Sequence, residues 1–238
     1  PNNIGLRTEN VTNPCTGGWI PTPEEPIEDP CVKVSPLKTD TYFKDAFLYL
    51  KDKANPNSPN PDNKEYVYKY TVDGIMLGPS PGEPNKCENE QKTLYMPQLK
   101  AYLHNHFPGC TEPLFSPGDI QLAFDLFKSN KIVYPFVFGV ATAQGTYVMV
   151  INNLELFNSF GSQYFLEDSN KDPEDLDKLY KAFRLSLSLS PEENEILFLK
   201  FLNRLGGTGI EILKANNDFS QYQKLTLING QLQLTPCN

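Results

Sequence analysis

The sequence predicts an α/β domain, a mixed β-sheet flanked by helices, with a C-terminal α+β extension. Two observations carry that expectation. Apolar residues recur at helical spacing in separate stretches, and short β-branched or aromatic runs stand between and after those stretches instead of gathering in one half of the chain. The pass along the chain shows no internal repeat.

Taken in order, residues 1–36 hold Pro14, Pro21, Pro23, Pro26, Pro30 and Pro36 among Gly17, Gly18, Glu24, Glu25, Glu28 and Asp29. So little apolar surface does not offset the entropy of ordering, and the stretch reads as a Pro-rich acidic linker or tail in which Trp19-Ile20 is the one candidate for docking on the body. Residues 37–238 read as a single domain, its core at about 39–155 and its extension at about 170–238. Tyr42, Phe43, Ala46, Phe47, Tyr49 and Leu50 give a first helix over 39–53, capped by Thr39 or Asp40. Pro56, Pro59 and Pro61 make 55–63 a loop, and Glu65 to Val72 then reads as a strand ended by Asp73-Gly74. Leu99 to Leu103 is a buried strand. Ile120, Leu122, Ala123, Leu126 and Phe127 make an amphipathic helix from Ser116 to about Asn130. Runs at 135–140 and 146–151 form a hairpin, and two helices follow at 173–187 and 191–205, each with a proline near its first turn. Short strands are expected at 210–214, 224–228 and 231–234, the last two joined at Asn229-Gly230.

The chain has 29 acidic against 21 basic side chains, a net charge of −8, which repels a phosphate backbone and argues against a nucleic-acid partner. No apolar run is long enough to cross a membrane. The chain begins at Pro1 without an initiating methionine, which reads as a mature form, and the Pro-rich tail is expected to serve as a tether to an upstream anchor or domain. Five cysteines, Cys15, Cys31, Cys87, Cys110 and Cys237, contain no Cys-x-x-Cys pair, which excludes a zinc ribbon. Disulfides in an extracytoplasmic or cell-envelope setting are the favoured reading, and reduced cysteines in a cytosolic protein remain open.

His104 and His106 are the only histidines, two apart at the end of the Leu99–Leu103 run. Residues i and i+2 of a strand face the same way, so both imidazoles reach one metal ion. Ser116 stands where a cap is needed and Asp119 one turn later, at the positive end of a helix. Two nitrogens and one carboxylate leave a tetrahedral position open, as catalytic zinc sites do. Against this stands the bland alternative of a structural histidine pair, and the letters His-Asn-His also spell the name of a nuclease motif whose residues lie far apart in sequence.

The stretch His104-Asn105-His106, then Ser116-Pro117-Gly118-Asp119, resembles the JAMM (JAB/MPN) metallopeptidase motif: a glutamate on an early strand, His-x-His-Pro, about seven residues, and Ser-x-x-Asp. Phe107 stands between His106 and Pro108, and the gap to Ser116 is one residue longer than the usual pattern. The words Phe115-Ser116-Pro117-Gly118-Asp119-Ile120 and Phe138-Gly139-Val140-Ala141-Thr142-Ala143 also look like uncharacterised JAMM-like proteins from Bacteroidetes. The resemblance spans about Cys31 to Cys237 and is strongest between Glu65 and Ile151. It implies the same mixed sheet between helices, with cytidine-deaminase-like layering, and a zinc-dependent hydrolase of peptide or isopeptide bonds. Zn²⁺ on His104, His106 and Asp119 would lower the pKa of a water from 15.7 to about 7. Glu65 would be the base, ahead of Glu83, Glu88 and Glu90, and Ser116 would donate to the developing oxyanion. The alternative is an inactive MPN-like binding or scaffold module of a cell-envelope protein. The substrate, a peptide or protein, is not written in the sequence.

Overall fold

The computed structural model describes residues 29–58, 63–87, 96–110, 112–166 and 171–238. Trp19-Ile20, Cys15, Glu88 and Glu90 lie outside the described residues. Among the described residues one eight-stranded sheet carries the fold, in the order β2-β1-β3-β4-β5-β6-β7-β8. The strands are β1 (Tyr66–Thr71), β2 (Met76–Pro81), β3 (Leu99–Asn105), β4 (Ile132–Thr142), β5 (Gly145–Ile151), β6 (Ile210–Ala215), β7 (Tyr222–Ile228) and β8 (Gln231–Pro236). β3 and β4 are parallel, and every other neighbouring pair is antiparallel. The α/β class and the mixed sheet are those expected.

Helices cover both faces, which is why the central strands read as continuous apolar runs. One face carries α1 (Pro30–Val34), a 3-10 turn (Ser35–Lys38) and α2 (Thr41–Ala54), packed on Ala101, Leu103, Val137, Val148, Val150 and Leu213. Asp40 caps α2 by accepting the Phe43 N–H at 3.0 Å, and Phe43, Ala46, Phe47, Leu50 and Ala54 make its buried stripe. Gly139 of β4 lets α2 close on the sheet, since a Cβ there would stand 2.3 Å from the Phe47 ring. The other face carries α3 (Pro117–Lys128), α4 (Leu154–Tyr164), α5 (Pro173–Ala182) and α6 (Pro191–Arg204) over Tyr102, Phe138, Val140, Tyr147, Met149 and Ile212. Alternation along β4 and β5 sends successive side chains to the two cores in turn.

Several elements differ from expectation. Residues 30–38, of which 30–36 were placed in the tail, form α1 and the 3-10 turn and bury Val34 and Leu37. β2 follows the Asp73-Gly74 turn in a segment to which the sequence pattern assigns no element. Its two prolines are tolerated because it is an edge strand with one side free of ladder bonds. α4 was not expected: Asn158, Ser159, Gly161 and Ser162 dilute its apolar stripe, yet Gly161 is where the Phe124 ring crosses, 2.0 Å from where a Cβ would stand. α5 stops at Ala182, short of Leu187, and Arg184 then turns at φ 56°. The C-terminal region enters the main sheet, because β6 pairs with β5 and prolongs it.

Cys31 is bonded to Cys237, 206 residues away, and Cys87 to Cys110, 23 residues away. The first staples α1 to the end of β8. The second ties the segment after β2 to the loop after β3. Both fit an oxidising, extracytoplasmic setting. No helix among the described residues is long and apolar enough to cross a membrane.

Candidate metal centre

The β3 strand ends at Asn105, and His104 and His106 project from its end toward the α3 side. α3 begins close by. Ser116 is its N-cap and Pro117 its first residue, and Asp119 at N3 completes a reciprocal capping box. The Ser116 Oγ accepts the Asp119 N–H at 3.1 Å and donates to Asp119 Oδ2 at 3.0 Å, and the Ser116 N–H donates to the same oxygen at 2.7 Å. Thus Oδ2 is held by two donors beside His106 while Oδ1 turns to His104.

The His104 and His106 Nε2 atoms lie 3.2 Å apart. Asp119 Oδ1 is 2.9 Å from His104 Nε2, and Oδ2 is 3.3 Å from His106 Nε2. Two nitrogens on a tetrahedral ion at 2.0–2.1 Å stand about 3.3–3.4 Å apart, so the donor spacing matches a single shared ion. These three are the cluster among the described residues whose ligand atoms all fall within 4.8 Å of one another. The His106 tautomer is set from outside. Its Nδ1 lies 3.0 Å from the Glu112 carbonyl, which can only accept, so Nδ1 carries a proton and Nε2 is the atom that faces the site, to take a proton or a metal ion. His104 Nδ1 is buried without a partner among the described residues.

The electrostatics favour a cation. Burial opposes a charged His106, but the Asp119 hydrogen bond and charge, the Glu65 charge and the Glu112 carbonyl outweigh it and lift its pKa to about 9. Burial likewise opposes ionisation of Asp119, and the two histidines overcome it and hold the carboxyl well below the usual carboxylate range. Both groups are therefore set to place positive charge between them, whether as a proton or as a metal ion.

Glu65 immediately precedes β1. Val67 pairs with His104 across the antiparallel ladder, so two residues earlier Glu65 comes opposite His106 and on the same face. It is only 6% exposed. Its charge is felt by His106 and also by Tyr102, whose phenol is pushed well above its ordinary value by burial and then by Glu65 and Asp119. Glu83 is exposed and paired with Lys86 at 2.7 Å. Set against protein-family models, curated proteins and solved structures, the chain matches none of them. The site is therefore read on its own geometry.

One functional residue was not singled out from the sequence. Asn105, fully buried between the two histidines, points to the opposite face and brackets Glu65: its Oδ1 accepts the Tyr66 N–H at 2.8 Å and its Nδ2 donates to the Lys64 carbonyl at 3.3 Å. Strand alternation foretells its direction. Its partners come from another strand, which nothing local encodes.

Proposed function

We propose that this chain is a zinc-dependent amide hydrolase, a peptidase or isopeptidase of JAMM-like type. The single observation that carries the reading is the convergence of His104, His106 and Asp119 at single-ion spacing with the buried carboxylate Glu65 beside them on the same face. Two imidazoles and one carboxylate suit Zn²⁺ better than Mg²⁺ or Ca²⁺, which prefer oxygen donors. Bound there, the ion would supply Lewis-acid activation of a water and of the substrate carbonyl.

The chain's own residues do the rest. Glu65 takes a proton from the attacking water and returns it to the leaving amine, work worth about 10²–10⁴-fold. Asn105 holds the backbone on either side of Glu65 and so fixes where that carboxylate stands. Glu112, through its carbonyl, keeps His106 in the metal-ready tautomer. Ser116 has its hydroxyl proton committed to Asp119, so its work in this geometry is to orient the ligand.

A second reading, an inactive MPN-like binding or scaffold module of a cell-envelope protein, draws on the burial of the site: His104 is fully buried, and the Asp119 side chain is 12% exposed. The two are separated by metal analysis followed by Glu65→Gln. Protein prepared without added metal or chelator is expected to carry about one equivalent of zinc, and Glu65→Gln to keep the fold and the zinc while hydrolysis of a peptide or isopeptide library falls at least 10²-fold. Protein that neither carries zinc nor takes it up on titration refutes the metal centre. Zinc-loaded protein that cleaves no amide favours the scaffold.

A further inference from the structure

Two stretches of chain are fastened to the β4–β5 turn at the metal end of the sheet. On one side the Thr142 hydroxyl donates to the Pro113 carbonyl at 2.9 Å, holding the loop that carries Glu112. On the other the Gln144 amide donates to the Leu187 and Leu189 carbonyls at 3.1 and 2.7 Å, holding the connection that leaves α5. Buried Asn194 of α6 locks that arrangement by donating to Gln144 Oε1 and to the Ser186 carbonyl, both at 2.7 Å. The last turn of α5 is thereby kept at the same end of the sheet as the histidines. Tyr180 lies in that turn.

Tyr180 is 7% exposed and stands edge-on to Phe201, with ring centroids 5.2 Å apart. Its hydroxyl is buried and has no hydrogen-bond partner among the described residues. Burial, and then the charges of Glu112 and Asp119, push its pKa well above the ordinary phenol value, so it stays protonated and within the field of a metal-ligating carboxylate. A buried O–H without a partner is costly, and such a group in a native structure calls for an explanation, a role at a ligand site among them. The other buried tyrosine hydroxyl without a partner, Tyr222, belongs to the opposite face of the sheet. Ser116, the hydroxyl nearest the metal ligands, already donates to Asp119.

We propose that Tyr180 is a substrate-binding donor, its hydroxyl hydrogen-bonding the carbonyl or carboxylate oxygen of a ligand held at the His104–His106–Asp119 centre. This rests on the metal-hydrolase reading. A neutral, buried O–H with its proton free to donate is what an oxyanion donor requires. It comes from α5, outside the strand–helix unit that supplies the ligands, so the C-terminal half of the chain takes part in the site.

The test uses acetohydroxamate as an oxygen-donor probe, titrated calorimetrically into the zinc-loaded full chain of the parent, Tyr180→Phe and Tyr222→Phe. Tyr180→Phe is expected to fold and take zinc like the parent and to bind acetohydroxamate about tenfold more weakly, as the loss of one hydrogen bond to a charged group requires. Tyr222→Phe is expected to bind it like the parent. Equal acetohydroxamate affinity in the parent and Tyr180→Phe, at equal zinc content, overturns the proposal and leaves the metal centre standing. A parent that takes no zinc overturns the metal-hydrolase reading and this proposal with it. A zinc-loaded parent that binds no acetohydroxamate shows a closed centre and also overturns the donor role.

Discussion

Truncating Ser116 to alanine tests how Asp119 is held. The hydroxyl makes two bonds to one residue, accepting the Asp119 N–H and donating to Asp119 Oδ2, while the Ser116 N–H bond to the same oxygen survives the substitution. Losing an N-cap side chain costs about 1 kcal/mol, within a range of roughly 0.5–2. For a chain of this length that lowers Tm by about 2–4 °C per kcal/mol. The same change frees the carboxylate to rotate, and loss of an outer partner of a metal ligand typically costs 10–100-fold in affinity. Ser116→Ala is thus expected to show both a cap-sized loss in urea unfolding, measured with chelator present, and a zinc Kd at least tenfold weaker by competition with a chromophoric chelator. Ser116→Thr, which keeps the hydroxyl, restores most of both. A cap-sized destabilisation with unchanged zinc affinity would refute the reasoning, because the helix backbone alone would then be placing Asp119. Unchanged stability and zinc with lost hydrolysis would return Ser116 to the oxyanion role that the family resemblance implies.

The other tests address the supports of the site. Replacing Cys87 and Cys110 together by serine opens a loop closed over 23 residues, worth about 3 kcal/mol in the chain-entropy treatment, and is expected to weaken zinc binding as well, since Cys110 lies between His106 and the Glu112 carbonyl that holds it. Stability loss without any change in zinc Kd, read in the same competition assay, would show that the loop needs no tether. Asn105→Ala is expected to leave zinc content intact and to lower kcat about tenfold or more by releasing the chain around Glu65. An unchanged kcat on any substrate the parent cleaves would remove Asn105 from the account. Gly109→Ala places a Cβ 2.5 Å from the Phe107 ring inside the same loop, so it is expected to lower Tm by several degrees, and a scan that superimposes on the parent's would show that the ring moves aside freely.

How much was legible from the sequence depends on how local the signal is. The histidine pair and the Ser116–Asp119 box are encoded within four residues each, by strand alternation and by the reach of an N-cap, and the structure brings those four residues together. The helices α2, α3 and α6 are found near their expected bounds for the same reason, while α5 keeps its expected Pro-led start but ends early. What depends on partners distant in sequence was not legible. β2 is a strand because β1 offers it an edge, and α4 is a helix because Phe124 and Phe157 bury its face despite its Asn, Ser and Gly. The pairing of Cys31 with Cys237 spans nearly the whole chain, so no spacing rule reaches it. Asn105 and Tyr180 belong to the same class, since each acquires a role only once another element is laid beside it.

That the site lies where it does follows from the one parallel pair in the sheet. To run parallel, β3 and β4 must be joined by a crossover, and the connection holds α3, so the chain leaves the C-terminal end of β3 and starts the helix near that end. A strand end with two imidazoles then meets a helix start whose unpaired N–H groups favour a carboxylate, and the three ligands converge without any long-range search. β1 runs antiparallel to β3, so its beginning lies at the same end, and the residue just before its first residue, Tyr66, is Glu65. Strand end, helix start and the start of the antiparallel neighbour are three features of one topology. Had β1 been parallel to β3, its leading carboxylate would stand at the far end of the sheet from the histidines, a strand length of about 3.3 Å per residue away. The reversal of β1 is therefore as much a part of the proposed chemistry as the ligands themselves, because it sets the carboxylate beside the metal donors without making it one of them.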